Sequence, residues 1–528
     1  MAITKILVAN RSEIAIRVFR AANELGLKTV AIWAEEDKYS LHRFKADESY
    51  QVGRGPHLTK DMGPIESYLS IEEVIRVARL SGADAIHPGY GLLSESPEFA
   101  EACAKAGIIF IGPKPDTMRR LGNKVAARNL AIEVGVPVIP ATDPLPDDIE
   151  AVKALAKTIG YPVMLKASWG GGGRGMRAIR SEADLAREVT EGKDEVYLEK
   201  LIERARHVEV QVLGDTHGNA VHLFERDCSI QRRNQKVVER APAPYLEMSR
   251  REELCDYALK IARETSYIGA GTVEFLQDAD TGKFYFIEVN PRIQVEHTVT
   301  EQVTGIDIVK AQIHILDGFA IGTPESGVPA QKEIRLNGHA LQCRITTEDP
   351  EHNFIPDYGR ITAYRGATGF GIRLDGGTAY SGAVITRFYD PLLEKVTAWA
   401  PTPAETIARM NRALREFRIR GVATNLTFLE AIINHPSFAD NSYTTKFIDT
   451  TPELFASVKR QDRATKLLNY LADVSVNGHP ETRGRPQPKA DAAAPMVPYL
   501  NGNVPDGSKQ KLDALGPEKF AAWMRAQK

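Results

Sequence analysis

Strand and helix patterns alternate regularly from Lys5 to Ile111, and this alternation constrains the fold more than any other feature of the sequence. Four short apolar runs predict strands, at Lys5–Ala9, Thr29–Trp33, Ala85–His87 and Ile108–Ile111. Three amphipathic patterns predict helices between them, at Ile14–Leu25, Ile71–Leu80 and Pro97–Ala106. Strands that alternate with helices form a parallel sheet with helices on both faces. The chain therefore begins with a predicted doubly wound α/β domain.

The turn after the first predicted strand excludes a dinucleotide site of the usual kind. Residues Ala9-Asn10-Arg11-Ser12-Glu13 contain none of the glycines that such a turn requires. A different segment, His87-Pro88-Gly89-Tyr90-Gly91, follows a predicted strand directly. Open α/β sheets bind ligands at the carboxyl ends of their strands, so this segment is a candidate ligand site. A tight turn without a ligand is the alternative.

The bulk properties indicate a multidomain protein of the cytoplasm. A chain of 528 residues exceeds one hydrophobic core. Its net charge of −2 gives no reason to expect nucleic acid or an acidic membrane as a partner. No apolar run reaches the roughly 20 residues of a membrane span, and the N-terminal apolar run is too short for a signal peptide. The cysteines are scattered without Cys-x-x-Cys spacing, which favours a reducing compartment: Cys103, Cys228, Cys255 and Cys343.

A glycine-rich segment between two predicted strands is a candidate phosphate-binding loop. It runs from Lys166 through Gly170, Gly171, Gly172, Gly173 and Gly175 to Met176. Glycines let backbone N–H groups approach phosphate oxygens without interference from a Cβ atom. Strand patterns on both sides predict a hairpin whose tip folds over a triphosphate, with Lys166 at its root. A mobile hairpin without a ligand is the alternative.

Polar residues alternate with apolar ones from Glu288 to Glu296, and this period of two predicts one polar strand face. The face contains Glu288, Asn290, Arg292, Gln294 and Glu296. Two carboxylates, two amides and a guanidinium are unsuited to a core. They are suited to a metal ion, a phosphate group and a small anion.

Two predicted paired strands, Gly271–Phe275 and Phe284–Glu288, each place one glutamate among apolar neighbours. A buried carboxylate is costly unless it is ion-paired or bound to metal. Glu274 and Glu288 beside a triphosphate site predict Mg²⁺, which prefers carboxylate and phosphate oxygens. Two ion-paired structural glutamates are the alternative.

Three further segments have both a functional and a structural interpretation. Tyr197–Ile202 is a strand pattern that can hold adenine through backbone groups and apolar contact. The alternation from His207 to Gln211 places His207 and Glu209 on one strand face, which is either functional or solvated. Gln231–Lys236 contains three cations in six residues and is either an anion pocket or an exposed turn.

Together, these motifs resemble the biotin carboxylases, a family with the ATP-grasp fold. The resemblance rests on Ile6–Ala15, His87–Gly91, the glycine hairpin, Gln231–Lys236 and Glu288–Glu296, and it covers roughly residues 2 to 450. Within the family, the stretch Arg460–Gly478 is similar to the one that leads into the carboxyltransferase domain of single-chain pyruvate carboxylases. We therefore expect an ATP-grasp fold, α/β and α+β, with an N-terminal doubly wound parallel-sheet domain and a C-terminal mixed α/β domain.

The resemblance also implies where the domains lie. We expect an N-terminal Rossmann-like domain at 1–120, an ATP-grasp lid at 141–204, an ATP-grasp core at 205–330, a biotin carboxylase C-terminal domain at 335–450 and a linker toward a missing carboxyltransferase domain at 451–528. The chain has no Met-Lys-Met carrier signature. We therefore expect a fragment of a longer enzyme that cannot itself attach biotin. The segment from Met176 to Glu199 is roughly ten residues shorter than is usual in the family.

Residue roles follow from the resemblance position by position. Glu296 would be the general base that deprotonates bicarbonate, and Arg344 would stabilise the biotin enolate. Bicarbonate would be bound by Lys236, Arg292, Gln294 and Val295, of which Lys236 and Arg292 are also expected to act in catalysis. The metal ligands would be Glu274, Glu288 and Asn290. ATP would be bound by Lys124, Lys166, Gly171, Gly172, Met176, Glu199, Lys200, Ile202, His207 and Gln231.

The implied function is a ligase that carboxylates biotin with bicarbonate and ATP through carboxyphosphate, which is the first half-reaction of pyruvate carboxylase. The implied cofactors are ATP, Mg²⁺ or Mn²⁺, and biotin supplied on a carrier domain outside this chain. Acetyl-CoA is the expected activator, with Arg418, Arg420 and Arg463 as candidates for its phosphates. A homo-oligomer is expected, a dimer or, in the full-length enzyme, a tetramer. The alternatives are an acyl-CoA carboxylase subunit and a different ATP-grasp ligase.

Overall fold

The computed structural model describes residues 3–167, 177–189, 196–456 and 463–479. The chain forms two compact units, Met1–Val458 and Lys459–Lys528. The described part of the second unit contains one helix, Arg463–Asn477. Three predicted ATP-binding residues, Gly171, Gly172 and Met176, lie outside the described residues, as does the side chain of Arg463.

The first unit begins with a five-stranded sheet in which every neighbouring pair is parallel. Its strands are β1 (Lys5–Val8), β2 (Lys28–Trp33), β3 (Glu48–Gln51), β4 (Ala85–His87) and β5 (Ile109–Phe110), in the order β3-β2-β1-β4-β5. The accompanying helices are α1 (Ser12–Glu24), α2 (Pro64–Leu69), α3 (Ile71–Ser81), α4 (Pro97–Lys105), α5 (Pro115–Gly122) and α6 (Lys124–Glu133). The predicted doubly wound domain is confirmed. The prediction missed β3 because its half-buried sequence, Glu-Ser-Tyr-Gln, has no apolar run.

Helix α1 packs on this sheet through an apolar face at helical spacing, which includes Ile14, Val18 and Ala22. Two charged residues, Glu13 and Arg17, are also buried on α1. Burial of a charged group is costly unless the group is paired, so these residues need partners elsewhere in the chain. Arg17 pairs with Glu301 and Asp307, and Glu13 Oε2 lies 3.0 Å from Lys395 Nζ, so the partners belong to segments far away in the sequence.

A small three-stranded antiparallel sheet follows. Its strands are β6 (Val163–Ala167), β7 (Arg177–Ile179) and β8 (Val196–Lys200), in the order β7-β6-β8. The same segment contains two helices, α7 (Ile149–Ile159) and α8 (Glu182–Val189). Strands β6 and β7 pair antiparallel with Val163 opposite Ile179. The predicted hairpin on either side of the glycine segment is therefore confirmed.

An eight-stranded antiparallel sheet is the largest sheet of the first unit. The remaining strands are β9 (Ala205–Gly214), β10 (Ala220–Arg232), β11 (Gln235–Ala241), β12 (Gly269–Asp278), β13 (Phe284–Asn290), β14 (His339–Thr346), β15 (Glu348–Asp349), β16 (Ile355–Pro356), β17 (Gly359–Arg360), β18 (Ala363–Arg365), β19 (Ile372–Gly376), β20 (Val384–Ile385), β21 (Leu392–Ala400) and β22 (Arg418–Arg420). The large sheet has the order β13-β12-β9-β10-β11-β14-β21-β19. The helices beside it are α9 (Met248–Glu264), α10 (His297–Thr304), α11 (Ile308–Leu316), α12 (Pro403–Glu416), α13 (Leu426–Asn434), α14 (Pro436–Ala439) and α15 (Phe447–Thr450).

This sheet crosses the predicted boundary between the ATP-grasp core and the C-terminal domain. Strand β11 pairs antiparallel with β14, with Val238 opposite Cys343 and Glu239 opposite Gln342. Side chains from both regions therefore meet on one surface. The domain boundaries stay predictions. Within the described residues, no helix combines the length and the hydropathy that crossing a bilayer requires.

The predicted polar strand from Glu288 to Glu296 is wrong beyond its first three residues. Strand β13 ends at Asn290, and a loop leads to α10, which Glu296 precedes as the N-terminal cap residue. A period of two is compatible with a strand but does not require one. Loop residues can alternate in the same way without hydrogen bonding to a neighbouring strand. The loop returns Gln294 and Glu296 toward the sheet instead of continuing along it.

Candidate active site

The floor of the site is a row of charged residues across four adjacent strands. Glu209 on β9 lies opposite Arg226 on β10 and opposite Glu274 on β12, and Glu274 lies opposite Glu288 on β13. Residues opposite each other in a ladder share one face of the sheet. The predicted pairing of the two glutamate strands is therefore confirmed, and the register brings three carboxylates together.

Lys236 lies above this row, where β11 begins. A tight turn precedes it, in which Arg233 and Asn234 have positive φ angles of 49° and 64°. The Lys236 Nζ lies 2.5 Å from Glu209 Oε2, 2.8 Å from Glu274 Oε1 and 2.7 Å from Glu296 Oε1. Burial opposes the charge of Lys236, but the three carboxylates outweigh it and hold its pKa well above the usual value. Of the three cations in Gln231–Lys236, this one enters the site, whereas Arg232 and Arg233 bond to Asn353.

Glu296 is completely buried and is held between two cations. Its second oxygen, Oε2, accepts a hydrogen bond of 3.0 Å from Arg344 Nη2, while Lys236 donates to Oε1. Burial would raise the pKa of Glu296, but Lys236, Arg344 and then Arg226 outweigh it and hold the pKa well below the usual value. The carboxylate is therefore charged at neutral pH and can accept a proton. The structure brings together the three residues predicted for base, anion and biotin chemistry.

Arg344 reaches this position from β14 because a second carboxylate orients it. Its Nε donates to Glu239 Oε1 at 2.6 Å, and Gln342 donates to the other oxygen of Glu239 at 2.9 Å. Burial raises the pKa of Glu239, and nearby Glu296 adds to this, although Arg344 opposes it. A guanidinium held on two sides keeps a fixed direction, which is what recognition of a planar carbonyl group requires.

The three predicted metal ligands lie on two neighbouring strands, and their role toward a metal ion stays a prediction. Asn290 Nδ2 donates to Glu274 Oε1 at 2.9 Å, and the carboxylate of Glu288 lies opposite Glu274 on the neighbouring strand. Burial raises the pKa of Glu288, and the negative charge of Glu274 raises it further. Lys124 is the first residue of α6, and its Nζ lies 3.8 Å from Glu288 Oε2. The carboxylates of Glu274 and Glu288 repel each other, and a bound divalent cation would relieve that repulsion. These residues therefore fit Mg²⁺.

The loop that follows β13 holds the other predicted bicarbonate residues. Arg292 Nε donates to Glu95 Oε1 at 2.6 Å, so the segment after the His87–Gly91 turn reaches the site. Arg292 Nη2 also donates to Asn290 Oδ1 at 3.1 Å. Gln294 Nε2 lies 3.4 Å from Glu274 Oε1. The carbonyl oxygen of Val295 accepts a hydrogen bond from Lys395 on β21.

The His87–Gly91 turn is rigid. Asn10 Nδ2 donates to the carbonyl oxygens of Pro88 and Tyr90 at 2.7 and 2.8 Å. Gly89 has a φ of +64°, and a Cβ atom there would approach Asn10 Nδ2 to 2.9 Å. The turn therefore requires glycine for structural reasons and fixes the course of the chain toward Glu95.

The predicted nucleotide residues fall into two groups. His207 and Gln231 lie on the large sheet, with 2.6 Å between His207 Nδ1 and Gln231 Nε2, and His207 Nε2 lies 3.0 Å from Glu274 Oε2. Lys166 and Glu199 form an ion pair in the small sheet. Lys200 Nζ donates to the carbonyl oxygens of Gly160 and Tyr161.

The segment predicted to bind adenine already makes hydrogen bonds within the protein. The backbone N–H groups of Lys200 and Leu201 donate to the carbonyl oxygens of Pro140 and Pro162. Ile202 follows β8 and is half-buried. These two N–H groups are therefore already used, and the roles of Glu199, Lys200 and Ile202 toward adenine stay predictions.

The candidate activator site stays a prediction. Arg418 and Arg420 lie on β22 in the first unit, and both are exposed. The Nη1 of Arg418 donates to the carbonyl oxygens of Arg415 and Phe417.

The sequence predictions missed several charged residues that form the site. These are Glu95, Arg226, Glu239 and Lys395, whereas Glu209 was predicted only to share a strand face with His207. Arg226 is fully buried and donates to Glu209, Gln211, Thr272 and Thr300. The available signal was a charged residue within an otherwise apolar strand, as in Val-Glu209-Val and Glu394-Lys395-Val. Such a residue needs a buried partner, but the sequence does not identify it.

Three family models match consecutive parts of the chain. The N-terminal domain of biotin carboxylase matches residues 2–118, the ATP-binding domain of the carbamoyl-phosphate synthase L chain matches 123–323, and the C-terminal domain of biotin carboxylase matches 342–450. Pyruvate carboxylase of Bacillus subtilis is 49% identical over the whole chain, which covers 46% of that enzyme. The chain thus spans about half the length of the curated relatives it matches.

Solved structures agree with these matches. A pyruvate carboxylase of Rhizobium etli, solved with the allosteric activator acetyl coenzyme-A, is 81% identical over 99% of this chain and 49% of that chain, with a TM-score of 0.83. The biotin carboxylase domain of the Hydrogenobacter thermophilus 2-oxoglutarate carboxylase, in complex with MgADP and bicarbonate, is 43% identical over 87% of this chain and 100% of that domain, with a TM-score of 0.79. The predicted ATP-grasp fold is confirmed. On this evidence the chain belongs to the biotin carboxylase family of ATP-dependent ligases.

Proposed function

We propose that this chain carboxylates biotin with bicarbonate and ATP, as the first half-reaction of pyruvate carboxylase. One observation carries the proposal most directly: the carboxylate of Glu296 bonds to Lys236 through one oxygen and to Arg344 through the other. Deprotonation and phosphorylation of bicarbonate call for a base with a cation beside it, which Glu296 and Lys236 supply. The second cation, oriented by Glu239, supplies a place for the ureido carbonyl of biotin beside the base.

In the first step, Lys236 and Arg292 bind bicarbonate, and Glu296 removes its proton. In the free protein, Lys236 lowers the basicity of Glu296. Bicarbonate is itself an anion and competes for Lys236, which weakens this hold and raises the proton affinity of Glu296. The deprotonated oxygen then attacks the γ-phosphate of ATP in line, giving carboxyphosphate and ADP.

In the second step, carboxyphosphate breaks down to CO₂ and phosphate beside Arg344. The phosphate takes the ureido proton of biotin, and the biotin nitrogen attacks CO₂. Arg344 stabilises the negative charge on the ureido oxygen, and Glu239 prevents Arg344 from rotating away. A buried site suits this chemistry because water would hydrolyse the intermediate.

Glu274, Glu288 and Asn290 would hold Mg²⁺. The ion would neutralise charge on the β- and γ-phosphates of ATP. On the protein side, Asn290 fixes the direction of Glu274, and Lys124 lies beside Glu288 where it can reach a phosphate oxygen.

The remaining features of the proposal concern the larger enzyme. We propose that biotin arrives on a carrier domain and that pyruvate receives the carboxyl group elsewhere in that enzyme. We further propose a cytoplasmic homo-oligomer whose activator is acetyl-CoA. The supporting observation is similarity to complete pyruvate carboxylases, one of which was solved with acetyl coenzyme-A.

The proposal is tested by measuring ATP cleavage with Mg²⁺, with and without bicarbonate and free biotin. Cleavage should depend on bicarbonate and increase with biotin, and the variant Glu296→Ala should abolish both effects. Glu416→Ala is the matched control, because Glu416 is an exposed carboxylate on α12 that pairs with Arg412. Cleavage that ignores bicarbonate would refute the proposal. Cleavage that requires bicarbonate but ignores biotin would favour a different ATP-grasp ligase.

A further inference from the structure

Lys395 is a fully buried lysine that joins three distant parts of the chain next to the candidate site. It lies on β21, and its Nζ donates to the carbonyl oxygen of Val295 at 3.0 Å. The same Nζ lies 3.0 Å from Glu13 Oε2 on α1, in the N-terminal sheet domain. The ring of Tyr90, in the His87–Gly91 turn, lies 5.8 Å from it. A buried lysine is costly unless partners compensate for its loss of hydration.

The bond to Val295 controls the direction of Glu296. A peptide unit is planar, so the Val295 carbonyl and the Glu296 N–H and Cα move together. When Lys395 holds the carbonyl, it fixes the positions of the Glu296 N and Cα atoms, from which the side chain extends. Glu296 stands at the start of α10 with φ −87° and ψ 10°, where no preceding helical turn fixes it.

Glu13 keeps Lys395 in place. It is 4% exposed, and burial raises its pKa, although Lys395 opposes that effect. The Glu13 carboxyl group and the Lys395 amino group lie at ion-pair distance in the interior. Asp375 and Arg373, on β19, form a second ion pair near Glu13, which keeps the surroundings of the first pair polar and ordered.

We propose that Lys395, fixed by Glu13, is a positioning residue for the base Glu296 and for the bicarbonate-binding backbone at Gln294 and Val295. The inference rests on the proposed biotin carboxylase activity. Neither residue is among those assigned to substrate binding. Lys395 on β21 and Glu13 on α1 fix the peptide unit between Val295 and Glu296. This aligns the proton-accepting carboxylate of Glu296 with bicarbonate.

The test uses the double variant Glu13→Gln/Lys395→Met in the full chain. Both replacements keep the side-chain length, and together they remove the ion pair without leaving one buried charge alone. A misplacement of about 1 Å at a reacting group lowers rates on the order of 100-fold, so we expect a loss of that size in kcat/KM for bicarbonate. We expect KM for bicarbonate to rise and kcat to fall, while KM for ATP stays unchanged.

The matched control is Glu225→Gln/Arg251→Met. This pair is also buried, with 2.8 Å between Arg251 Nε and Glu225 Oε1. It links α9 to β10 and bonds to Ala243, and within the described part of the chain it makes no hydrogen bond or ion pair with residues 291–296. Loss of folded protein alone would lower apparent kcat in either variant and leave KM for bicarbonate unchanged. A rise in KM confined to the Lys395 variant is therefore the expected signature.

Amide hydrogen exchange supplies a readout that does not depend on activity. The Glu296 and His297 amides should exchange faster in the Lys395 double variant than in the parent chain and the control. Unchanged exchange together with an unchanged KM for bicarbonate would overturn the inference. If the parent chain shows no bicarbonate-dependent turnover, the proposed function fails and the inference fails with it. If the parent is active and the variant equals it, the inference alone is refuted.

Discussion

Replacement of Lys236 by methionine is the sharpest test of the electrostatic arrangement. Methionine keeps the length of the side chain but removes the charge that three carboxylates share. Three carboxylates, each less than a tenth exposed, would remain around the vacated position: Glu209, Glu274 and Glu296. Arg226 and Arg344 would still neutralise part of their charge.

The expected magnitude follows from the distances. Each N···O separation of 2.5 to 2.8 Å corresponds to a gross attraction of about 6 kcal/mol at an effective dielectric constant of about 20. Most of this gain offsets the cost of taking four charges out of water. Removing one partner from a buried ion pair costs a net of about 3–5 kcal/mol, and we expect a loss of that size in the free energy of unfolding near pH 7.

The pH dependence distinguishes this mechanism from simple loss of packing. In the parent chain, burial opposes ionisation of Glu274 and Glu296, but Lys236 outweighs it and holds both pKa values below their usual range. Their stabilising effect is therefore retained until the pH falls below about 4. In Lys236→Met these pKa values should rise above those of the unfolded chain. The folded form then binds extra protons, and stability increases as the pH falls from about 7.5 to about 5.5.

Urea unfolding of parent and variant at both pH values measures the effect. The deficit of the variant should shrink at the lower pH. Arg251→Leu, which also breaks a buried pair, provides the comparison because Glu225 lies outside the cluster. A deficit below about 1 kcal/mol, or one that grows as the pH falls, would refute the reasoning.

Three further predictions address the metal, biotin and the C-terminal sheet. Glu288→Gln should raise the Mg²⁺ concentration needed for half-maximal ATP cleavage at least about tenfold, measured by metal titration; an unchanged midpoint would contradict its role as ligand. Arg344→Met should retain bicarbonate-dependent cleavage but lose its stimulation by biotin, and retained stimulation would exclude the assigned role. Burial raises the pKa of Glu394 to about 7, so the folded state binds its proton more tightly than the unfolded state, and stability should fall as the pH rises from about 5 to about 8. Glu394→Gln should flatten that slope in thermal unfolding scans.

Local patterns predicted the order and type of most elements. The doubly wound N-terminal domain followed from strand and helix patterns because each apolar period reports which face of its own segment is buried. The hairpin at β6 and β7 and the pairing of β12 with β13 followed for the same reason. The polar strand to Glu296 was wrong, because periodicity cannot show where hydrogen bonding to a neighbouring strand stops.

The sequence by itself determined most residue types of the site, since its motifs include four charged residues that no apolar core explains: Glu274, Glu288, Glu296 and Lys236. Arg344 was assigned only through the family resemblance. It also carried the resemblance that the comparisons bore out as family membership. Only the tertiary structure decided how these charges are paired. The register of the large sheet aligns Glu209 with Glu274 and Glu288, and β21 delivers Lys395 to Val295, 100 residues earlier in the chain. The Coulomb interaction between two charges depends on their distance and on the solvent excluded around them, and neither is written in a single segment of sequence.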